Sequence, residues 1–240
     1  RSQKSEYSNS NSTNKSPIGN RKLEMAVVRL PRISNYTDFL VFESMDGINV
    51  RYVETPAELG SPDIIFIPGT KNTCSDMKFL NDSGFGKRIT DARRSGTPVF
   101  GICGGYQILG TRILDPHGVD GEAGETPGLG LLPVETVLEK NKELSQVSGV
   151  VRTAMPFASS GTPFTGYEIH MGRTAQAEEA SGPFKHSVLK ISRKLGRDFS
   201  GSDGTASEDG LVFGTYVHGI FDLREMRDSL VGWQIGRAHV

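Results

Sequence analysis

The sequence predicts an α/β fold built on an open, mainly parallel sheet flanked by helices, with an antiparallel extension in its second half. Three observations carry that prediction. Short apolar runs alternate with helical spacing through the first half, the order expected of strands joined by crossover helices. Two of the runs, within Pro62–Thr70 and Thr97–Ile102, are apolar on both faces, as strands at the centre of a parallel sheet are. The second of them runs directly into "CGGYQ", a glycine-closed turn of the strand-to-helix type.

The elements follow in order. "MAVVRLP" (Met25–Pro31) is an apolar run stopped by proline and reads as a buried strand. In "SNYTDFLVFE", Thr37 or Asn35 offers a helix N-cap and Asp38 suits the first turn. "INVRYVE" alternates and is rich in β-branched residues, a second strand. "PDIIFIPGT" is the third. "SDMKFLNDSGFGKRITDARRSG" has helical spacing in pieces, with Gly96 as its C-terminal stop, and "TPVFGI" is the fourth strand. Further on, "LGLLPVETVLE", "SQVSGVVRTAM" and "FTGYEIHMGRT" read as strands of the extension. "HGVDGEAGETPG" and "SRKLGRDFSGSDGTASEDG" read as loops, the latter polar and mobile. "GLVFGTYVHGIFD" returns to the sheet, and "DLREMRDSLVGWQI" has helical spacing.

Composition narrows the function. The formal net charge is −1 over 240 residues, which suggests no nucleic-acid partner. No apolar run reaches the ~18 residues of a membrane span, and no signal peptide is visible. Two cysteines, Cys74 and Cys103, make no disulfide framework and point to a reducing, cytoplasmic setting. Residues 1–22 are dominated by Ser, Asn, Lys and Thr and read as a disordered linker. Because they start at Arg1 rather than Met, the expectation is a chain that continues upstream. The ordered domain is expected over 23–235, with 236–240 as a tail or expression remnant.

The candidate chemistry centres on Cys103. Small neighbours are needed where a nucleophile sits on a tight, strained turn, and Gly101 and Gly105 supply them. A helix starting near Gly104 aims its N–H groups and positive dipole end at the sulfur, which favours thiolate. The Gly104 N–H is also placed to stabilise an oxyanion. Cys103 as a small packed residue is the alternative; its place at a strand end favours function. Cys74 has no such surround and reads as structural.

A thiol nucleophile needs a base. Of five histidines, His117, His186 and His239 lie in polar or terminal segments. His218 ends the apolar strand "LVFGTYV" and would emerge at the sheet edge, whereas His170 in "GYEIHMG" would line the pocket. "IPGTKNT" is another strand-end loop, whose Gly69 N–H offers a second oxyanion donor and whose Lys71 suits a carboxylate. An ordinary turn with Thr73 as N-cap explains that loop equally well. "GFGKR" fails as a phosphate loop, because Asn81 and Arg88 stand where Gly and Ser or Thr are required. Nothing has zinc-ligand spacing, so no metal is expected.

Together, "GICGGYQILG", "PGTKNT", "GYEIHMG", "YVHGIFD" and "VVRLPRISNYTDF", in their order along the chain, resemble class I, triad-type glutamine amidotransferases. The likeness is to the branch serving cobalamin biosynthesis, and the last stretch is similar to the opening of the glutaminase domain of cobyric acid synthases. The resemblance implies a flavodoxin-like fold and a Cys103 that attacks the side-chain amide of glutamine, with His218 relaying protons. Gly69 and Gly104 would hold the oxyanion. Gln107, Tyr167, Glu168 and His170 would bind glutamine. The ammonia would serve an N-terminal ATP-dependent synthetase domain amidating the b, d, e and g carboxylates of adenosylcobyrinic acid a,c-diamide. ATP and magnesium would belong to that domain, leaving this one without a cofactor.

One departure bears on the triad. Many class I enzymes place a glutamate two residues after the histidine; here Ile220 stands there, a lack the cobalamin branch shares. Glu168 and Asp222 are the candidates for the acid that orients His218. Two other readings stay open: a glutaminase serving cobyrinic acid a,c-diamide synthase or lipid II amidation, and a non-catalytic docking module of this fold.

Overall fold

The computed structural model describes residues 21–140, 143–177 and 184–238. The expected linker therefore lies outside the described residues except for Arg21 and Lys22, as does His239. Five strands form the parallel half of the main sheet, in the order β2 (Ile48–Val53), β1 (Leu23–Val28), β3 (Ile64–Ile67), β4 (Val99–Ile102) and β13 (Val212–Thr215). Every residue of β3, β4 and β13 is buried, which is why those strands read as unbroken apolar runs.

Helices cover this half. A 3-10 turn (Tyr36–Phe39) leads into α1 (Leu40–Glu43). The helical region that follows is two helices, α2 (Thr73–Asp82) and α3 (Phe85–Arg94), broken where Gly84 takes φ 84°. The N-cap of α2 is Asn72, whose side chain accepts the Ser75 N–H at 2.8 Å, rather than Thr73. Gly96 (φ 93°) closes α3 as expected, with its N–H on the Arg93 carbonyl. The segment "GFGKR" is the N-cap and first turn of α3. After the short α4 (Gly104–Leu109), the last helix, α5 (Arg224–Ala238), runs through most of the expected tail.

The second half is the antiparallel extension: β12 (Arg197–Ser207), β11 (Phe184–Lys194), β8 (Glu143–Val151), β9 (Pro163–His170) and the two-residue β14 (Val217–His218). β13 and β14 are joined by Tyr216 alone, yet they sit at opposite ends of this run of strands. The extension therefore curls until its last strand meets its first. The expected polar loop at 192–210 is mostly the β11–β12 hairpin, turning at Leu195 and Gly196. Its outer half is exposed on both faces, so no alternation marked it as a strand. A second sheet combines β10 (Arg173–Gln176), β7 (Val134–Val137), β5 (Arg112–Asp115) and β6 (Gly124–Pro127), the last cut from the expected glycine-rich loop.

The core sits between the parallel strands and the helices. Phe66 on β3 packs against Phe39, Phe42, Phe100 and Phe221, with ring centroids 5.1–6.1 Å apart. That cluster ties the 3-10 turn, α1 and the chain after β14 to the sheet centre. Among the described residues, no helix is long and apolar enough to cross a membrane. Removing the Phe66 ring leaves a void bounded by four aromatic neighbours. Phe66→Ala is expected to cost about 3–5 kcal/mol, read as a lowered urea midpoint at unchanged slope.

Candidate functional site

The carboxyl ends of the parallel strands converge here, where ligands bind in open α/β sheets. β4 ends at Cys103, which is both the N-cap of α4 and a positive-φ residue (φ 55°, ψ −110°). Such a backbone costs on the order of 1–3 kcal/mol and persists only when its surroundings enforce it. The glycines do so by letting the chain close. A Cβ on Gly105 would lie 1.9 Å from the Ile67 carbonyl oxygen, and one on Gly101 would lie 2.5 Å from the Gly105 oxygen. A Cβ on Gly104 would meet Thr70 at 2.6 Å. The elbow expected from "GICGGYQ" is therefore present, packed against the "PGT" loop after β3.

Cys103 is buried, and its thiol donates to the Ile169 carbonyl at 3.3 Å. His218 has no exposed surface. Its Nδ1 is 2.8 Å from Asp38 Oδ2, and the other carboxylate oxygen of Asp38 accepts the Gly219 N–H at 2.8 Å. The acid orienting the histidine is therefore Asp38, which corrects the expectation of Glu168 or Asp222. Glu168 follows Tyr167 on β9, and successive side chains of a strand point to opposite faces. Tyr167 stacks on His218 (centroids 5.1 Å apart), while Glu168 pairs with Lys194 at 3.4 Å. The Asp222 carboxylate crowds Gly219, where a Cβ would come within 2.6 Å of it; burial, then the Asp38 charge, push its pKa up.

Burial by itself pushes His218 toward the neutral form. The hydrogen bonds to Asp38 and Cys103, with the charges on both, outweigh it and raise the pKa from 6.5 to about 9. The imidazolium is thus held through neutral pH. Whatever this pairing adds to stability is fully present below the ordinary histidine pKa and is lost as pH rises through about 9.

A second residue of the same stretch holds the ring. Asn35 Nδ2 lies 3.2 Å from Nδ1 and 3.1 Å from Nε2 of His218. An atom equally close to both nitrogens sits over the ring face, because in the ring plane it would collide with Cε1. Asn35 takes a left-handed backbone (φ 60°, ψ 61°), which asparagine tolerates better than most residues. Gly69 approaches the same ring; a Cβ there would stand 2.9 Å from Cε1. Gly69 and Gly104 border the histidine and the cysteine turn respectively.

The four residues expected to bind glutamine do not share one face. Gln107 is buried, accepting from Thr73 Oγ1 at 2.7 Å and donating to the Tyr216 hydroxyl at 3.2 Å. Tyr216 bonds Thr174 and stacks on His170 (centroids 4.0 Å apart). Glu168 and His170 line a cavity of about 730 Å³, with Asp203 and Tyr216 in its wall. Tyr167 faces the other way, with His218. Asp203, half-buried and accepting from Thr215 Oγ1 and the Tyr216 N–H, was not singled out from the sequence. Asn35 and Asp38 were read only as helix-start residues. Their signal lay in the family-like "SNYTDF", not in local spacing. Lys71 is exposed at the rim. Burial pushes the Cys74 thiol up, against a reactive role.

Comparison with known proteins adds to this geometry. The CobB/CobQ-like glutamine amidotransferase domain profile matches residues 24–226. The cobyric acid synthase of Alkaliphilus metalliredigens is 46% identical over 212 residues, 87% of this chain and 41% of that protein. The one from Chlorobium phaeobacteroides is 42% identical over 216 residues, 90% of this chain and 41% of that protein. The chain spans about two-fifths of the length of these curated relatives. Among solved structures, PurLQS from Thermotoga maritima superposes with a TM-score of 0.60 at 20% identity, covering 90% of this chain and 97% of that one. A crystal structure of a glutamine amidotransferase gives 0.55 at 15% identity, covering 90% and 99%. At those identities the likeness establishes the fold.

Asp38→Asn keeps the shape but removes the charge that holds the imidazolium. The alkaline limb of Cys103 alkylation by a glutamine-like chloroketone is expected to move to lower pH. The rate at pH 8 should fall on the order of 10²-fold or more, followed by mass spectrometry of the Cys103 peptide. An unchanged pH profile would remove Asp38 from the triad.

Proposed function

The chain belongs to the CobB/CobQ-like glutamine amidotransferase domain family, and from that premise we propose that it is the glutamine-hydrolysing part of a cobyric acid synthase. The observation that carries the reading is the Cys103–His218–Asp38 line at the carboxyl ends of the strands. The names and identities of the relatives supply the pathway, cobalamin biosynthesis.

With the proton held on His218 as imidazolium, the Cys103 sulfur attacks the side-chain amide carbon of glutamine as thiolate. A C–S bond forms, and the carbonyl becomes an oxyanion facing the Gly69 and Gly104 N–H groups. His218 gives the proton to the amide nitrogen, the C–N bond breaks, and ammonia leaves a γ-glutamyl thioester. Water then attacks the thioester, His218 takes its proton, and glutamate and the thiolate are released, restoring the thiolate–imidazolium pair. Throughout, Asp38 accepts a hydrogen bond from Nδ1–H, fixes the tautomer and stabilises the imidazolium, as the acid of a triad does. Asn35 and Tyr167 keep the ring from turning out of line with the sulfur.

The ammonia serves an ATP-dependent synthetase part, which amidates the b, d, e and g carboxylates of adenosylcobyrinic acid a,c-diamide. ATP and magnesium act there, and no step at Cys103 passes through them. The "RLPRISNYTDF" stretch, similar to the opening of the glutaminase domain of cobyric acid synthases, favours this acceptor over cobyrinic acid or lipid II. A docking module without chemistry has no use for a buried Cys–His–Asp line.

In the intact synthase, Cys103→Ser is expected to lower glutamine-dependent amidation by about 10³-fold or more while ammonium-dependent amidation persists. Loss of both in a folded protein would overturn this division of labour.

A further inference from the structure

We propose that the outward face of β8 and β9, beside His218, is the surface on which the synthetase part of the protein docks. This rests on the reading of the domain as the ammonia-supplying part. Partners across an antiparallel ladder point to the same face. Tyr167 pairs with Gln146 on one side and with His218 on the other. Leu144 and Thr165 share that face by alternation along their strands. The hairpin turn after β11 adds Leu195, tied by its N–H to the Gln146 carbonyl at 2.9 Å.

These residues line a groove of about 770 Å³. Leu144 and Leu195 are each 64% exposed, the most exposed large apolar residues described. Single exposed leucines are ordinary. Two on one concave sheet face, with a tyrosine in its floor that stacks on the buried histidine, form a patch with a place in the chemistry.

The occupant follows from length and chemistry. The chain covers 41% of the Alkaliphilus relative, so about three-fifths of a protein of that size lies outside it. Ammonia released into neutral water takes up a proton and ceases to be a nucleophile, so the part that consumes it must close over the site that makes it. An interface of about 800 Å² per partner seated on this groove would reach the rim of the His218 site through Tyr167. The exposed leucines are the apolar anchors such an interface needs.

The test uses the intact synthase with p-benzoylphenylalanine at position 195, or at the exposed Val137 of the other sheet as a control. Irradiation is expected to join position 195, and not 137, to peptides of the synthetase part. The paired substitution Leu144→Asp and Leu195→Asp should lower glutamine-dependent amidation about tenfold. Glutamine hydrolysis and ammonium-dependent amidation should stay within about twofold. Crosslinks only to a second copy of this domain, none to the synthetase part, or unchanged coupling in the double variant would overturn the proposal. Absence of glutamine hydrolysis in the unsubstituted protein would instead overturn the functional reading, whatever position 195 crosslinks to.

Discussion

The contact between Asp38 and His218 is the constraint on which the site depends. A fully buried imidazole would shed its charge unless an anion faced it. The Asp38 carboxylate supplies that charge with one oxygen and fixes the backbone after the ring with the other. The two residues are brought together by the sheet. The chain leaving β1 and the chain leaving β14 meet over the carboxyl ends of the parallel strands, and the aromatic cluster around Phe66 locks both approaches. Asn35 and Tyr167 then limit the ring on its faces. One buried ion pair, braced by packing, sets both the position and the protonation of the base.

Cys103 is held by the complementary device, backbone strain. Its positive φ is enforced from three sides by glycine contacts that leave no room for a methyl group. The strain turns the sulfur off the strand and toward the histidine, and the start of α4 sets the Gly104 N–H beside it. Ile67 of β3, Gly101 of β4 and Gly105 of α4 form one close-packed joint beneath the Cys103 turn.

What the sequence made legible divides along the same line. The elbow is encoded locally, in an apolar run, three glycines and a helix start within a few residues, and so it could be read. The parallel half was legible for the same reason, since buried central strands are continuous apolar runs. Asp38 could not be found this way: it lies 180 residues from His218, and an acid at a helix start has an adequate local explanation. The β11–β12 hairpin escaped because its exposed outer half has the composition of a loop. Glu168 was only one of two candidates with no spacing behind it; alternation along β9 puts Tyr167 on the histidine side and Glu168 on the cavity side.

The most direct measurement is the ionisation of His218 itself. Nitrogen-15 NMR of the imidazole, titrated from pH 5 to 10, reports the protonation of both ring nitrogens. Both are expected to be protonated at pH 7.5, with a strongly hydrogen-bonded Nδ1 proton and a midpoint near 9. A neutral ring at pH 7.5, with a midpoint at or below the ordinary value of 6.5, would contradict the central role given to Asp38.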